Sequence, residues 1–514
     1  MKTGKWKSIA AIGLAIAIFM TGCSQAAPDA VAETNNISET EQNIYNAEKD
    51  ASDGSQEMIL YENSEDGGHA ITADGEMTSY GNASVKKTGD SGGDEADFYG
   101  ENAAIFATNG AKLTLTGMEI NTDGSHANAV FSYGEGTVVD ISDSTINTIG
   151  NCSGGLMTTG GGTMNASDLT IHTTGNSSAA IRSDRGGGTV KVTGGSYMTD
   201  GVGSPAIYST ADITVNDADL TSTASQGVVV EGQNSVTLNN CVLTADNNTH
   251  NSDKSEYYEA VMIYQSMSGD ADTGLSEFTA NGGSIINANG DIFFVNNTAT
   301  DISLSGVSVQ NNGDGVFLRS AAAGWGKEGS NGGKVNLYAS AQKIDGDMVV
   351  DDVSILNLYL KDGSMFTGAI NPDGESGKVY VEIGEGSKWT LSGDSNIKSL
   401  TCEPDSVELN GYTLTVDGKT YAEGTAMSGD AVEIKISEET GPGGDMQSPP
   451  DGNGQPPQGG DGQPPQGDGM GQSQGGPGQN TPSKDPPQKP DGEPPQRTDG
   501  GTGPDDGEPP ARPD

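Results

Sequence analysis

The chain has 514 residues with 25 Lys+Arg against 72 Asp+Glu, a formal charge of −47, and its 77 Gly stand beside only 9 Phe and 3 Trp. So acidic a chain repels phosphate backbones and no basic patch offsets it, which argues against a nucleic-acid partner. Abundant glycine and scarce large apolar residues disfavour helix bundles and doubly wound α/β enzymes, leaving an all-β repeat protein, a disordered chain, or the two joined in sequence.

At the N-terminus, Lys2, Lys5 and Lys7 precede an apolar run from Ile9 to Met20 that closes on Thr21-Gly22-Cys23. The run is too short for a bilayer span and reads as a secretory signal. Small residues immediately before a cysteine resemble the lipobox of bacterial lipoproteins, with Met20 where that pattern usually has Leu. The resemblance implies a signal peptide at 1–22, acylation of Cys23, and display at the extracellular face of a membrane. Ordinary cleavage near Ala26 or Ala27, with a secreted product, is the alternative. Residues 23–55 are acidic, with Asp29, Glu33, Glu39, Glu41, Glu48, Asp50 and Asp53, and read as a flexible tether.

From 56 to 440 the chain is periodic. Ala104-Ile105-Phe106 recurs as Ala129-Val130-Phe131, Gly155-Leu156-Met157, Ala180-Ile181-Arg182 and Ala206-Ile207-Tyr208, at spacings of 25, 26, 25 and 26. The series continues at Gly227-Val228, Ala260-Val261, Ile292-Phe293 and Gly315-Val316, with two spacings lengthened to 33 and 32 by residues placed in loops. Each unit also carries an aliphatic, a polar residue, then Gly, Asp or Asn, and an aliphatic three positions later. Examples are Leu115-Thr116-Gly117 with Ile120, Ile141-Ser142-Asp143 with Ile146, and Val215-Asn216-Asp217 with Leu220. Two short strands meeting at a tight corner explain that spacing, because Gly, Asp and Asn tolerate the left-handed backbone a corner needs. Three short β-runs in about 25 residues, without helical periodicity, predict a single-stranded parallel β-helix rather than a propeller, whose blades need about 40 residues. The stretch Val379 to Ser437, with Trp389-Thr390-Leu391-Ser392-Gly393, keeps this grammar at a shorter period and is assigned to the last coils and a cap. From Gly441 to Asp514, 18 of the 22 prolines and 19 glycines fall in 74 residues, the composition of a disordered tail with polyproline II character.

Taken together, residues from about 70 to 437 resemble the right-handed β-helix, pectate-lyase-like superfamily. The lipobox with a Gly/Pro-rich tail is similar to its surface lipoproteins in Gram-positive Firmicutes. That resemblance implies an adhesin-like or carbohydrate-binding protein, in some members with calcium. One fold hosts lyases, hydrolases, epimerases and non-catalytic binders, so the residues must decide.

The catalytic inventory is thin. His69, His126 and His250 fall in loop-like sequence, and His172 occupies a slot held in other units by Asn121, Asn147, Met198, Thr221 and Thr244, which alternates away from the core. No zinc spacing is present. Asp351-Asp352 and Asn371-Pro372-Asp373 lack the order and the Gly-His-Gly element of the polygalacturonase-like hydrolases. For a lyase, which needs a base beside a bound uronate, the candidates are Arg182 and Arg185 in Arg182-Ser183-Asp184-Arg185; pairing with Asp184 or an acidic neighbour is the alternative.

If Ile105, Val130, Leu156, Ile181 and Ile207 point inward, then Phe106, Phe131, Met157, Arg182 and Tyr208 point outward. An exposed ladder of this kind suits polysaccharide, though reversed parity, or a cover from the N-terminal segment or a loop, would remove it. Trp325, flanked by glycines in a long insertion, is a further candidate sugar platform, against a loop folded back on the rod.

Calcium is the metal most compatible with the composition, because residues 56–440 hold 53 acidic against 17 basic residues, a balance of −36. The pairs Asp270/Asp272 and Asp345/Asp347 are the candidate ligands, neither with a full EF-hand set and both open to the reading of solvated surface carboxylates. Cys152, Cys241 and Cys402 require no disulfide framework. The leading expectation is a non-catalytic, lipid-anchored surface β-helix that binds polysaccharide or a host or cell-wall surface. A polysaccharide lyase acting on acidic glycans and a structural envelope spacer are the alternatives.

Overall fold

The computed structural model describes residues 58–252 and 254–436. The expected signal peptide, the lipidation expected at Cys23, and the segments read as tether and tail lie outside the described residues.

Successive strands fall in turn to three parallel sheets. The first sheet begins with Ile59–Asn63, the second with Ile71–Asp74 and the third with Met77–Gly81, after which the chain returns to the first at Ala83–Lys87. Repetition builds sheets of 10, 11 and 13 strands, each strand hydrogen-bonded to those one coil before and after it. The molecule is a parallel β-helix, and eleven strands at the usual separation of about 4.8 Å make the second sheet roughly 48 Å long. Four further strands, from Lys343–Asp345 to Val407–Glu408, form a smaller parallel sheet. At the far end Leu414–Val416 pairs antiparallel with Lys419–Thr420.

The inward rows explain how a chain poor in aromatics makes a core. In the second sheet Ile71, Ile105, Val130, Leu156, Ile181, Ile207, Val228, Val261, Phe293, Leu318 and Met348 lie in register, one per coil, and all are buried. Each aliphatic buried this way contributes about 1.5–3 kcal/mol, so the core grows with every coil. The corners also behave as their residue types require. Gly117, Asp143, Asp168, Gly194, Asp217, Asn240 and Gly306 all take left-handed backbone, with φ from 49° to 68°.

A second corner is held closed by glycine. Gly124, Gly150 and Gly175 stack so tightly that a Cβ on any of them would lie 1.9 Å from the carbonyl oxygen of the glycine one coil earlier. Inside the same bend, the hydroxyls of Thr148, Thr173 and Thr199 donate to the carbonyls of Ser153, Ser178 and Ser204 at 2.5–2.6 Å, which satisfies polar groups that burial would otherwise penalise.

The coils begin at Ile59. One element has no counterpart in the sequence reading: a six-residue helix α1 (Asp94–Tyr99), too short to show a helical period. It ends on Gly100 in left-handed conformation at φ 74°, whose N–H caps the carbonyl of Glu95.

Candidate functional site

The outward row of the second sheet is the feature around which the functional residues gather. Thr72, Phe106, Phe131, Met157, Arg182, Tyr208, Val229, Met262, Phe294, Arg319 and Val349 stand side by side, one per coil. The parity expected from the sequence holds, but the exposed ladder does not. Phe131 and Met157 are fully buried in a satellite cluster with Ala103, against which Phe106 and Tyr133 pack. The cover is α1 and its flanks. Gly100 sits so close that a Cβ there would lie 2.9 Å from both the Phe106 and Phe131 rings, and His69 stacks on Phe106 at 4.6 Å. The Thr159 hydroxyl ties the helix down by donating to the Phe98 carbonyl at 2.6 Å.

Farther along, three insertions at 246–258, 265–274 and 321–333 cover the same row. Val229, Met262, Tyr264, Phe294 and Ala321 form a second satellite cluster, with Tyr208, Tyr257, Ala323 and Trp325 packed against it. Trp325 meets Tyr264 edge-on at 5.1 Å, so its ring anchors the long insertion onto the rod and is not a free platform. At the edge of this cluster Glu259 is buried beside Asp291 on the next strand. Its Oε1 accepts from Gln226 at 2.7 Å and Asn247 at 3.3 Å, while Asp291 is held by Arg319 at 2.6 Å. Burial, reinforced by the Asp291 charge, pushes the Glu259 carboxyl up to about 8.

Charged residues lie in the gap between the two covers, and they are paired. Arg182 donates to the buried Asp184 at 2.7 Å. Burial alone would lower the Arg182 guanidinium, but the Asp184 carboxylate outweighs it and holds the group above its ordinary value. Arg185 donates to Asp270 through Nε and Nη2 at 3.2 and 2.9 Å, and its guanidinium lies 3.8 Å over the Phe98 ring. Asp270 opposes burial and raises Arg185 in the same way. The buried Glu231 carboxylate accepts from Tyr208, Tyr264 and Ser266, and burial pushes both tyrosines well above their usual value. Both arginines are thus engaged by carboxylates, and both tyrosines by Glu231.

Two larger cavities flank the 265–274 insertion, beside a smaller one of about 280 Å³ that Arg182, Asp184, Tyr208, Tyr264 and Asp270 help to line. One, of about 580 Å³, is walled by Phe98, Tyr99, Tyr133, Arg185, Gln233, Asn234, Asp270 and Asp272. Tyr99 and Tyr133 meet edge-on at 5.7 Å. The other, of about 670 Å³, is lined by Gln265, Ser266, Asn297, Ser330 and four lysines: Lys254, Lys327, Lys334 and Lys435. None of these lysines is in an ion pair with a carboxylate among the described residues, a state shared with Lys87, Lys112, Lys191, Lys361, Lys378 and Lys419; what sets them apart is that they line one cavity. They arrive from distant parts of the chain. Lys334 opens the strand Lys334–Ser340, Lys327 rides the loop that Trp325 anchors, and Lys435 is brought back by the segment that follows the last strand. That segment is pinned where the Asn357 amide both donates to and accepts from Val432, at 2.9 and 3.0 Å.

The expected calcium ligands do not assemble. Asp270 is engaged by Arg185, Asp345 by Lys343, and Asp347 accepts from the Ala369 N–H at 2.7 Å and the Ser392 hydroxyl at 3.1 Å. Asp272 is exposed on the cleft wall. A calcium ion needs six to eight convergent oxygens, which these residues do not offer. His172 stands half-exposed beside Asp200 at 2.7 Å, in the slot its register implied. Cys152, Cys241 and Cys402 are free thiols.

Among the described residues, one group of at least three His, Cys, Asp or Glu side chains does bring its ligand atoms within 4.8 Å of one another: Asp97, His126 and Cys152. No local motif marks it. His126 and Cys152 are 26 residues apart, the length of one coil, so repeat register was the signal that could have found them. No protein-family model, curated protein or solved structure matches the chain. The fold and the clefts therefore define the molecule only as a parallel β-helix whose second sheet carries a covered face.

Proposed function

We propose that the protein is a non-catalytic binder of acidic polysaccharide, displayed at the cell surface on an N-terminal lipid at Cys23. The supporting observation is the lysine-lined cavity. Residues 56–440 carry 17 basic against 53 acidic residues, a balance of −36, yet four lysines without carboxylate partners among the described residues line one cavity. The surrounding acidic field repels polyanions in general, and only a chain that reaches these amines gains from them. A carboxylated or sulfated glycan meets that condition. In the neighbouring cleft Tyr99 and Tyr133 offer ring surface to sugar C–H groups, and Gln233 and Asn234 offer planar amides to hydroxyls. Binding without cleavage is supported by the paired state of Arg182 and Arg185. In this reading lysine is what reconciles an acidic rod with an acidic glycan.

The test is retention of the protein on a panel of immobilised acidic and neutral glycans, with ultraviolet absorbance followed for unsaturated products. Retention on acidic glycans that falls with salt, without new absorbance, is the expected result. Turnover at an enzymatic rate would replace the binder with a lyase, and indifference to every glycan would leave an envelope spacer.

A further inference from the structure

We propose that Asp97, His126 and Cys152 form a binding site for a zinc-class divalent ion that clasps helix α1 onto the rod. This inference is independent of the glycan reading. The geometry follows from coil stacking. His126 and Cys152 occupy equivalent positions in successive coils, both with left-handed backbone at φ 55°, and the ladder continues through Ser177 at 55° and Gly203 at 65°. Their N–H groups donate in step, His126 to Asn151 and Cys152 to Asn176, each at 2.8 Å. Adjacent coils thus present an imidazole and a thiol from the same corner. Asp97 reaches them from α1, its Oδ1 2.7 Å from His126 Nδ1.

The donor set selects the metal. One carboxylate oxygen, one imidazole nitrogen and one thiolate sulfur suit Zn²⁺, or Co²⁺ as its spectroscopic substitute, and do not suit calcium or magnesium, which take oxygen. The carboxylate and thiolate together offset the charge of a divalent ion. Three protein ligands leave a fourth position for water, and all three residues are half-buried, shielded but reachable. In a tetrahedron with bonds of 2.0–2.1 Å the oxygen and nitrogen lie roughly 3.3 Å apart, so the 2.7 Å contact opens by about half an ångström when the ion enters. Binding releases the Cys152 proton, which makes it weaker at acid pH.

The consequence reaches the cleft. A six-residue helix has almost no stability of its own, and α1 carries Phe98 and Tyr99, which wall the 580 Å³ cleft. An ion joining α1 to two coils fixes that wall.

The test titrates the reduced full chain with Co²⁺ and then Zn²⁺. The expected result is a near-ultraviolet thiolate-to-cobalt absorption with the visible bands of four-coordinate cobalt, at one equivalent, bleached by Zn²⁺. Cys152→Ser should abolish the charge-transfer band, and His126→Ala or Asp97→Ala should weaken binding at least tenfold. Cys241→Ser and Cys402→Ser should leave it intact. Zn²⁺ should also slow proteolytic cutting at 93–100 in the natural chain and not in Cys152→Ser, a readout that does not depend on comparing variant folds. Absence of a thiolate band, its persistence in Cys152→Ser, or cutting unaffected by Zn²⁺ in the natural chain would each overturn the site.

Discussion

Glu259 gives the sharpest test of how the covering loops are held. Its carboxyl is buried, hydrogen-bonded to neutral Gln226 and Asn247, and raised to about 8 by burial with Asp291 alongside. A carboxyl raised above its unfolded value binds its proton more tightly in the folded state. The stability it supplies is complete below the ordinary glutamate value, about 4.5, and is lost as pH rises through about 8. At about 1.36 kcal/mol per pH unit, that window is worth about 5 kcal/mol at most. Glu259→Gln keeps the size of the side chain and an acceptor for Gln226, but cannot ionise. Urea unfolding followed by far-ultraviolet circular dichroism, at steps from pH 5 to pH 9, should find the two proteins within about 1 kcal/mol at pH 5, with the variant ahead by several kcal/mol at pH 9. Parallel pH dependences would mean that Glu259 is ionised in the fold, and would refute the reasoning.

The pair of half-buried Arg182 with buried Asp184 predicts asymmetric costs: Asp184→Ala strands the cation and should lower unfolding free energy by at most about 3–5 kcal/mol, whereas adding Arg182→Met should recover much of it. A double variant no better than the single would contradict the pairing. At the glycine corner, Gly150→Ala places a methyl 1.9 Å from the Gly124 carbonyl oxygen and should cost about 3 kcal/mol or more in urea unfolding. Gly393→Ala, whose methyl meets only the Cβ of Ala369 at 3.2 Å, should cost far less, and equal losses would refute the steric account.

The fold was legible because its causes are local and repeated. The inward aliphatic one position before Phe106, Phe131 and Tyr208, and the left-handed corners at Gly117, Asp143 and Asp217, follow from alternation and residue type within a few positions. The candidate site was not, because its decisive contacts are remote. Phe131 reads identically as an exposed rung or a buried one, and the choice is made by α1, which has no periodicity to announce it. Asp270 looked free for calcium because its partner, Arg185, lies 85 residues earlier. The lysines at 254, 327, 334 and 435 never form a cluster in sequence, and the Asn357–Val432 bonds, with those of Cys402 to Met427 and Thr401 to Gly429, bring the last of them home. By contrast, the one-coil separation of His126 and Cys152 was present in the repeat arithmetic and needed only to be read in register.

The claim that lysine makes an acidic rod a receptor for acidic glycan is tested most directly by one comparison. Affinity for a soluble polyuronate is measured by calorimetry for the natural chain and for Lys327→Gln with Lys334→Gln, at low and at physiological salt. At about 1–2 kcal/mol for each charge-assisted contact, the double variant should bind at least about tenfold more weakly at low salt, with a flatter salt dependence. Equal affinity and equal salt dependence in the two proteins would contradict it.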